Sequence, residues 1–229
     1  IKKKGSPIDK FRQEYRDIVD QEYAEGRAIF RLEGPCGIGK TKTALSFAVK
    51  HKHCHGLAKI IYVGPYISII DQVVKEFRSS LDILADQILE HHSSFIPTAS
   101  NSDKYSYDTE RWDLPVICTT AVEFFETLVS SHDTQNRKLH SIRNSIILID
   151  EIQTLPLEYS FVLLLLKSLV KNWGCSVVLM SATQPHFEGL QELNWIQFVD
   201  IIPKDKVKYF NDNLKRRCTP VYMPDKSLV

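Results

Sequence analysis

Gly34-Pro35-Cys36-Gly37-Ile38-Gly39-Lys40-Thr41 stands between a short apolar run, Ala28-Ile29-Phe30-Arg31-Leu32, and a helix-forming stretch over residues 42–50 with Thr43, Ala44, Leu45, Phe47 and Ala48. This strand–loop–helix constrains the fold more than anything else in the chain. The string fits G-x-x-x-x-G-K-[ST], whose backbone N–H groups wrap phosphates at the N-terminus of the following helix. Glycines are required where a side chain would block close approach or where φ must be positive. In such a loop Lys40 reaches the β/γ-phosphates and Thr41 gives its hydroxyl to Mg²⁺.

Two further strand ends extend the pattern. Ile146-Ile147-Leu148-Ile149 is a continuous apolar run, as expected of a strand buried on both faces of a parallel sheet, and it ends in Asp150-Glu151-Ile152-Gln153. Ligands of open α/β sheets bind at that carboxyl edge. Asp150 is therefore expected to hold Mg²⁺ and Glu151 to polarise an attacking water. Alone, a strand ending in Asp-Glu is a common solvated strand end; behind a phosphate loop it is a catalytic signal. Val177-Val178-Leu179-Met180 runs likewise into Ser181-Ala182-Thr183. Its hydroxyls suit contact with the acidic pair, or simply cap the next helix.

Alternation of such strands with helical stretches predicts an α/β fold, a mostly parallel sheet with helices on both faces. Ser6-Pro7 opens a helix carrying Ile8, Phe11, Tyr15, Ile18 and Val19, closed by Gly26. Helices are also expected over 68–77, 121–128 and 157–171. The polar stretch 98–110 reads as a loop. Residues 59–63 and 116–119 read as apolar strands with small or hydroxyl-bearing ends, which suit sequence-independent contact with phosphates. Thr119-Thr120 also reads as a helix N-cap, and Tyr66 as either a base-stacking or a packing residue.

With 229 residues, 43% hydrophobic and 25% charged, the chain builds one substantial core. A net charge of +1 argues against tight electrostatic wrapping of nucleic acid but not against a protein that must release its track at every step. The five cysteines lack paired spacing, as expected of reduced thiols in the cytoplasm. The apolar stretch 161–166 stops at Lys167, too short for a bilayer, so no membrane association is expected. His51, His53, Cys54 and His55 crowd at a helix end with no second ligand pair at finger spacing, which argues against zinc there.

The order of these motifs resembles superfamily 2 helicases, and their detail is similar to the CRISPR-associated helicase–nucleases of type I interference systems. The resemblance is carried by residues 30–47; by Ile60-Ile61-Tyr62-Val63-Gly64-Pro65-Tyr66 with Ile69, Ile70 and Gln72; by Leu89-Glu90-His91-His92-Ser93; by residues 112–120; by Arg137-Lys138-Leu139-His140; and by residues 150–156 and 178–185. It spans about residues 8 to 203. The resemblance implies the first RecA-like lobe of an ATP- and Mg²⁺-dependent 3′-to-5′ translocase on single-stranded DNA. Its partner would be an RNA-guided CRISPR surveillance complex. It further implies that Gly34, Gly37, Ile38, Gly39, Lys40, Thr41 and Lys42 hold nucleotide, and that Asp150 and Glu151 serve hydrolysis. Gly64, Pro65, Tyr66, Thr119 and Thr120 would grip the nucleic-acid backbone, with Gln153, Ser181 and Thr183 coupling the two sites. The adenine-reading glutamine maps to Gln13, with adjacent Arg12 competing. Gln153 stands where many relatives carry His or Asp. For Glu90-His91-His92 the resemblance implies a packing or DNA-facing role.

The second RecA-like lobe and the HD-type nuclease that such proteins carry are not expected in this chain, since His132-Asp133 offers the only adjacent His-Asp pair. The opening Ile1-Lys2-Lys3-Lys4 reads as a cut piece of a longer protein. Residues 204–229, rich in lysine and with Arg216-Arg217, read as a linker toward the second lobe rather than an arginine finger. The isolated lobe is expected to bind ATP–Mg²⁺ weakly and hydrolyse it poorly. A different motor ATPase, acting on RNA or in remodelling, and a non-catalytic docking module are the other readings.

Overall fold

The computed structural model describes residues 7–21, 26–80, 87–95, 102–130, 133–154, 159–182 and 197–215. Within them the chain alternates strand and helix: α1 (Pro7–Gln21), β1 (Ile29–Glu33), α2 (Lys40–His55), β2 (Lys59–Gly64), α3 (Ile67–Ser80), β3 (Ile88–His91), α4 (Ser102–Arg111), β4 (Val116–Thr120), α5 (Ala121–Val129), α6 (Asp133–Ile142), β5 (Ser145–Asp150), α7 (Tyr159–Trp173), β6 (Ser176–Ser181), β7 (Phe198–Asp200) and α8 (Lys204–Lys215). The seven strands form one sheet in the order β3-β4-β2-β5-β6-β1-β7. Every pairing is parallel.

Side chains alternate between the two faces with the period of two that a strand imposes. Phe30, Leu32, Ile60, Tyr62, Ile146, Leu148, Val178 and Met180 point to one core layer, under α1, α2, α3 and α8. Ile29, Ile61, Val63, Ile147, Ile149, Val177 and Leu179 point to the other, under α5, α6 and α7. Both faces are covered, which is why the central strands read as unbroken apolar runs. Among the described residues no helix is long and apolar enough to cross a membrane.

Two elements differ from expectation. Residues 102–111 form a helix where a loop was expected, because tertiary contacts replace a missing apolar stripe. Tyr105 stacks on Phe95 with ring centroids 4.6 Å apart and donates its hydroxyl to the Glu90 carbonyl at 3.0 Å, while Glu110 meets Arg137 at 3.1 Å. Residues 204–215, expected in a linker, form α8 against α1. Val207 and Phe210 join the core, and Phe210 meets Tyr15 edge-on at 5.4 Å. Burying two such side chains is worth roughly 3–6 kcal/mol, enough to make this helix part of the lobe. Ser6, His132, Thr183 and Arg216-Arg217 lie outside the described residues.

Candidate functional site

Parallel strands end on the same side of a sheet, so the motifs converge at one edge. Glu33 pairs with Ser181, Val63 with Ile149, Asp150 with Met180 and Gly64 with Thr120. The phosphate loop leaves β1, the acidic pair leaves β5, and Ser181 ends β6 between them.

The loop is held from below. Gly37 (φ 79°) and Gly39 (φ 96°) adopt left-handed backbone, and no atom lies within 4 Å of a Cβ built on either, so conformation is what excludes a side chain there. Gly34 is different: a Cβ would stand 2.9 Å from the Tyr15 ring. Tyr15 is buried, donates its hydroxyl to the Glu33 carbonyl at 2.7 Å, and supports the loop's first residue. Ile38 sinks its side chain into the core, leaving only its backbone for a ligand. Lys40 opens α2 and donates Nζ to the Gly34 carbonyl at 2.9 Å. Thr41 follows it, half-buried. The Lys42 side chain turns away to Glu76 on α3, 3.3 Å distant, so only its backbone remains toward the loop.

Asp150 and Glu151 face that loop. Burial pushes the Asp150 carboxyl up, and Glu151 pushes the same way; the Tyr62 hydroxyl, donating to Oδ2 at 2.7 Å, and the Lys40 ammonium pull it down. Lys40 and Asp150 thus sense each other's charge. Hard carboxylate and hydroxyl oxygens beside a phosphate loop are the donors Mg²⁺ takes, so Asp150 and Thr41 fit that ion. Glu151 occupies left-handed backbone (φ 49°), a conformation that costs a non-glycine residue about 1–2 kcal/mol. The turn swings its carboxylate to Gln153, whose amide Nε2 donates to Glu151 Oε2. Ser181 Oγ donates to Gln153 Oε1 at 2.8 Å, and the Gly34 N–H to the Ser181 carbonyl at 3.4 Å. Hydrogen bonds through Gln153 and the Ser181 residue therefore link Glu151 to the phosphate loop by way of β6. Thr183, outside the described residues, cannot be placed on it.

The two candidates for the adenine contact, Gln13 and Arg12, are held differently. Gln13 is exposed and donates to Asp17 one turn on, at 2.8 Å. Arg12 instead faces the loop and donates Nε to the Gly37 carbonyl at 3.0 Å. Helix geometry explains the choice: Arg12 shares a face with Tyr15 and Val19, three and seven residues on, and Gln13 lies about 100° away.

Gly64, Pro65 and Tyr66 stand beside Thr119 and Thr120 on the same edge. Gly64 is closely packed; a Cβ would come 2.7 Å from Ile70 Cδ1. Tyr66 is 60% exposed and caps α3 with its carbonyl, so its ring faces solvent rather than the core. Thr120 is the N-cap of α5, accepting the Glu123 N–H at 3.3 Å. Thr119 is fully buried with its hydroxyl unpartnered, so its side chain is not presented at the surface.

Two residues that sequence reading did not assign a role are Tyr62 and Tyr15. Each is an aromatic inside an apolar pattern and reads as core; only register across the sheet brings Tyr62 to Asp150. Among the histidines at the end of α2, His51 is held within the fold. His51 is buried between Phe30 and Phe47, bonds Ser176 Oγ at 2.8 Å, and is held neutral by burial, which pushes it down to about 4.

The model of the DEAD/DEAH box helicase family matches residues 13–192. The chain is 29% identical over 188 residues to the CRISPR-associated nuclease/helicase Cas3 of Haloferax volcanii, covering 71% of this chain and 20% of that protein. Structures of T. fusca Cas3 with ADP and with AMPPNP superpose with a TM-score of 0.61 at 15% identity, covering 96% of this chain and 26% of theirs. The UvsW helicase of bacteriophage T4 superposes with a TM-score of 0.53 at 14% identity, over 81% of this chain and 58% of its own. The chain thus spans about a fifth to a quarter of the length of the Cas3 proteins it matches, and its fold is RecA-like.

Proposed function

The chain belongs to the DEAD/DEAH box helicase family, and from that premise we propose that it is the ATP-binding motor lobe of a 3′-to-5′ single-stranded DNA translocase serving type I CRISPR interference. One observation carries the reading: Lys40, Asp150, Glu151, Gln153 and Ser181 meet at one sheet edge, joined by hydrogen bonds and charge. A lobe kept only for docking has no need of that assembly.

In this reading the N–H groups of residues 37–41 and the Lys40 ammonium bind the β- and γ-phosphates. Thr41 and Asp150 hold Mg²⁺, which neutralises phosphate charge. Glu151 accepts a hydrogen bond from the attacking water and orients it in line with the γ-phosphate. Gln153 fixes the Glu151 carboxylate and ties its position to Ser181. Arg12, rather than Gln13, senses the loop from α1. Gly64, Pro65, Tyr66 and the Thr120 strand end lie along the DNA backbone, Tyr66 offering its exposed ring to a base. The partners are single-stranded DNA, an RNA-guided surveillance complex, a second RecA-like lobe and an HD-type nuclease, with the whole working in the cytoplasm. Similarity to the Haloferax protein over most of this chain supports the CRISPR assignment.

The second lobe supplies the arginines that stabilise the transition state, a contribution of roughly 10³–10⁵ in rate. This chain alone is accordingly expected to hydrolyse ATP slowly. Phosphate release should be compared between this chain and a polypeptide carrying both lobes, with single-stranded DNA or RNA added. Strong stimulation by DNA, confined to the two-lobe protein, is the expected result. Stimulation by RNA alone overturns the DNA assignment, and full-rate turnover by this chain overturns the half-site reading.

A further inference from the structure

Glu90 and His91 end β3, and His92 follows at the far margin of the sheet from the phosphate loop. His91 is a packing residue: it accepts the Trp112 indole N–H at 3.1 Å and lies edge-on to that ring. His92 packs edge-on against Phe95, ring centroids 6.0 Å apart, which leaves its ring nitrogens to be accounted for. Its side chain is 4% exposed, and its Nδ1 is buried with no hydrogen-bond partner. Its Nε2 points at two carboxylates, 3.3 Å from Glu90 Oε1 and 3.4 Å from Asp71 Oδ1 on α3.

Those separations are long for hydrogen bonds, which cluster near about 2.9 Å. They match the edge of a tetrahedron around an ion with bonds of about 2.0–2.1 Å, which is about 3.3–3.4 Å. The three candidate ligand atoms all lie within 4.8 Å of one another, and among the described residues this is the one such group. The two carboxylates, one from α3 and one from β3, thus converge on the same imidazole nitrogen. The group borders a cavity of about 340 Å³ whose wall includes Ser94 and Phe95, with Lys75 and Arg78 on its α3 side. The cavity gives room for water at a fourth position.

We propose that Asp71, Glu90 and His92 form a three-ligand site for a divalent transition ion of the zinc class, clasping α3 to the edge strand β3. One imidazole and two carboxylates suit zinc and its first-row neighbours, whereas Mg²⁺ and Ca²⁺ prefer all-oxygen sets with more ligands. The site is independent of the nucleotide assignment and lies on a different strand end.

The test is calorimetric titration of chelator-treated chain with Zn²⁺ in excess Mg²⁺, beside the visible spectrum of the Co²⁺ form. The expected result is one ion per chain, a tetrahedral cobalt spectrum without thiolate charge transfer, and a raised unfolding midpoint. Asp71→Asn, at a half-exposed position that folding tolerates, should weaken binding at least about tenfold, and His92→Gln should weaken it further. Cys54→Ser and His53→Ala, at the end of α2, should leave it unchanged. Absence of saturable binding, binding that survives Asp71→Asn, or binding lost in Cys54→Ser would each overturn the proposal.

Discussion

The two halves of the carboxyl edge are built differently. On the β1–β6–β5 side, side chains are tied to one another and to the backbone before any ligand arrives. Tyr15 braces Glu33, Tyr62 holds Asp150, and Ser181 holds Gln153, which holds Glu151. On the β2–β4 side the groups are fewer and looser: an exposed tyrosine ring, a helix cap and a glycine. Phosphoryl transfer needs charges fixed where charge develops, so the first half is pre-organised. A backbone track that must be gripped and released needs only N–H groups and accessible surface. Under the proposed function, the contrast would make chemistry sensitive to single side chains and track binding tolerant of them.

The largest break in that contrast comes from Glu151→Gln. Hydrolysis by a two-lobe polypeptide should fall by about 10²–10³-fold in single-turnover assays, with ATP affinity kept. A loss below tenfold would show that Glu151 does not orient the water. Glycine replacements compare the rigidity of the two halves. Gly34→Ala drives a methyl into Tyr15, which is locked by its own hydrogen bond and by Phe210, and should cost about 1–3 kcal/mol in urea unfolding. Gly64→Ala meets the terminal methyl of Ile70 at 2.7 Å and the Tyr62 ring at 3.1 Å; because the closest atom is the end of a flexible side chain, the cost should be smaller, about 1 kcal/mol. Equal costs would remove the contrast.

Acid should loosen the lobe as a whole. Burial pushes His51, at the end of α2 remote from the phosphate loop, and His91, at the end of β3, down to about 4. Their ordinary value is about 6.5, so as pH falls the unfolded chain takes up protons first. Stability should be intact above about pH 6.5 and decline steadily toward pH 4. His51→Gln should flatten part of that decline in thermal melts across the range; an unchanged slope would contradict the neutral, buried assignment. The smallest effect separates neighbours on α1. Arg12→Ala should weaken ATP binding a few-fold, whereas Gln13→Ala should change it by less than about twofold, a difference of well under 1 kcal/mol for the latter.

Local spacing encoded much of this. Positive φ at Gly37 and Gly39 and the lysine opening α2 follow from the loop pattern itself, and the apolar runs of β5 and β6 announce a sheet covered on both faces. What depends on distant partners was not legible. Tyr62 reaches Asp150 only because β2 and β5 pair in one register, and α4 forms only because Phe95, Glu90 and Arg137 meet it. Strand alternation buries Thr119 and leaves Thr120 to cap α5, a parity that a two-threonine motif does not reveal. That Arg12 reaches the phosphate loop was readable from the helical face it shares with Tyr15.

Titration of ATP–Mg²⁺ into this chain and into Lys40→Ala tests the central claim most directly. Weak but saturable binding by the native chain, abolished in the variant, is what a pre-organised half-site predicts. Equal affinity for the two proteins would contradict it.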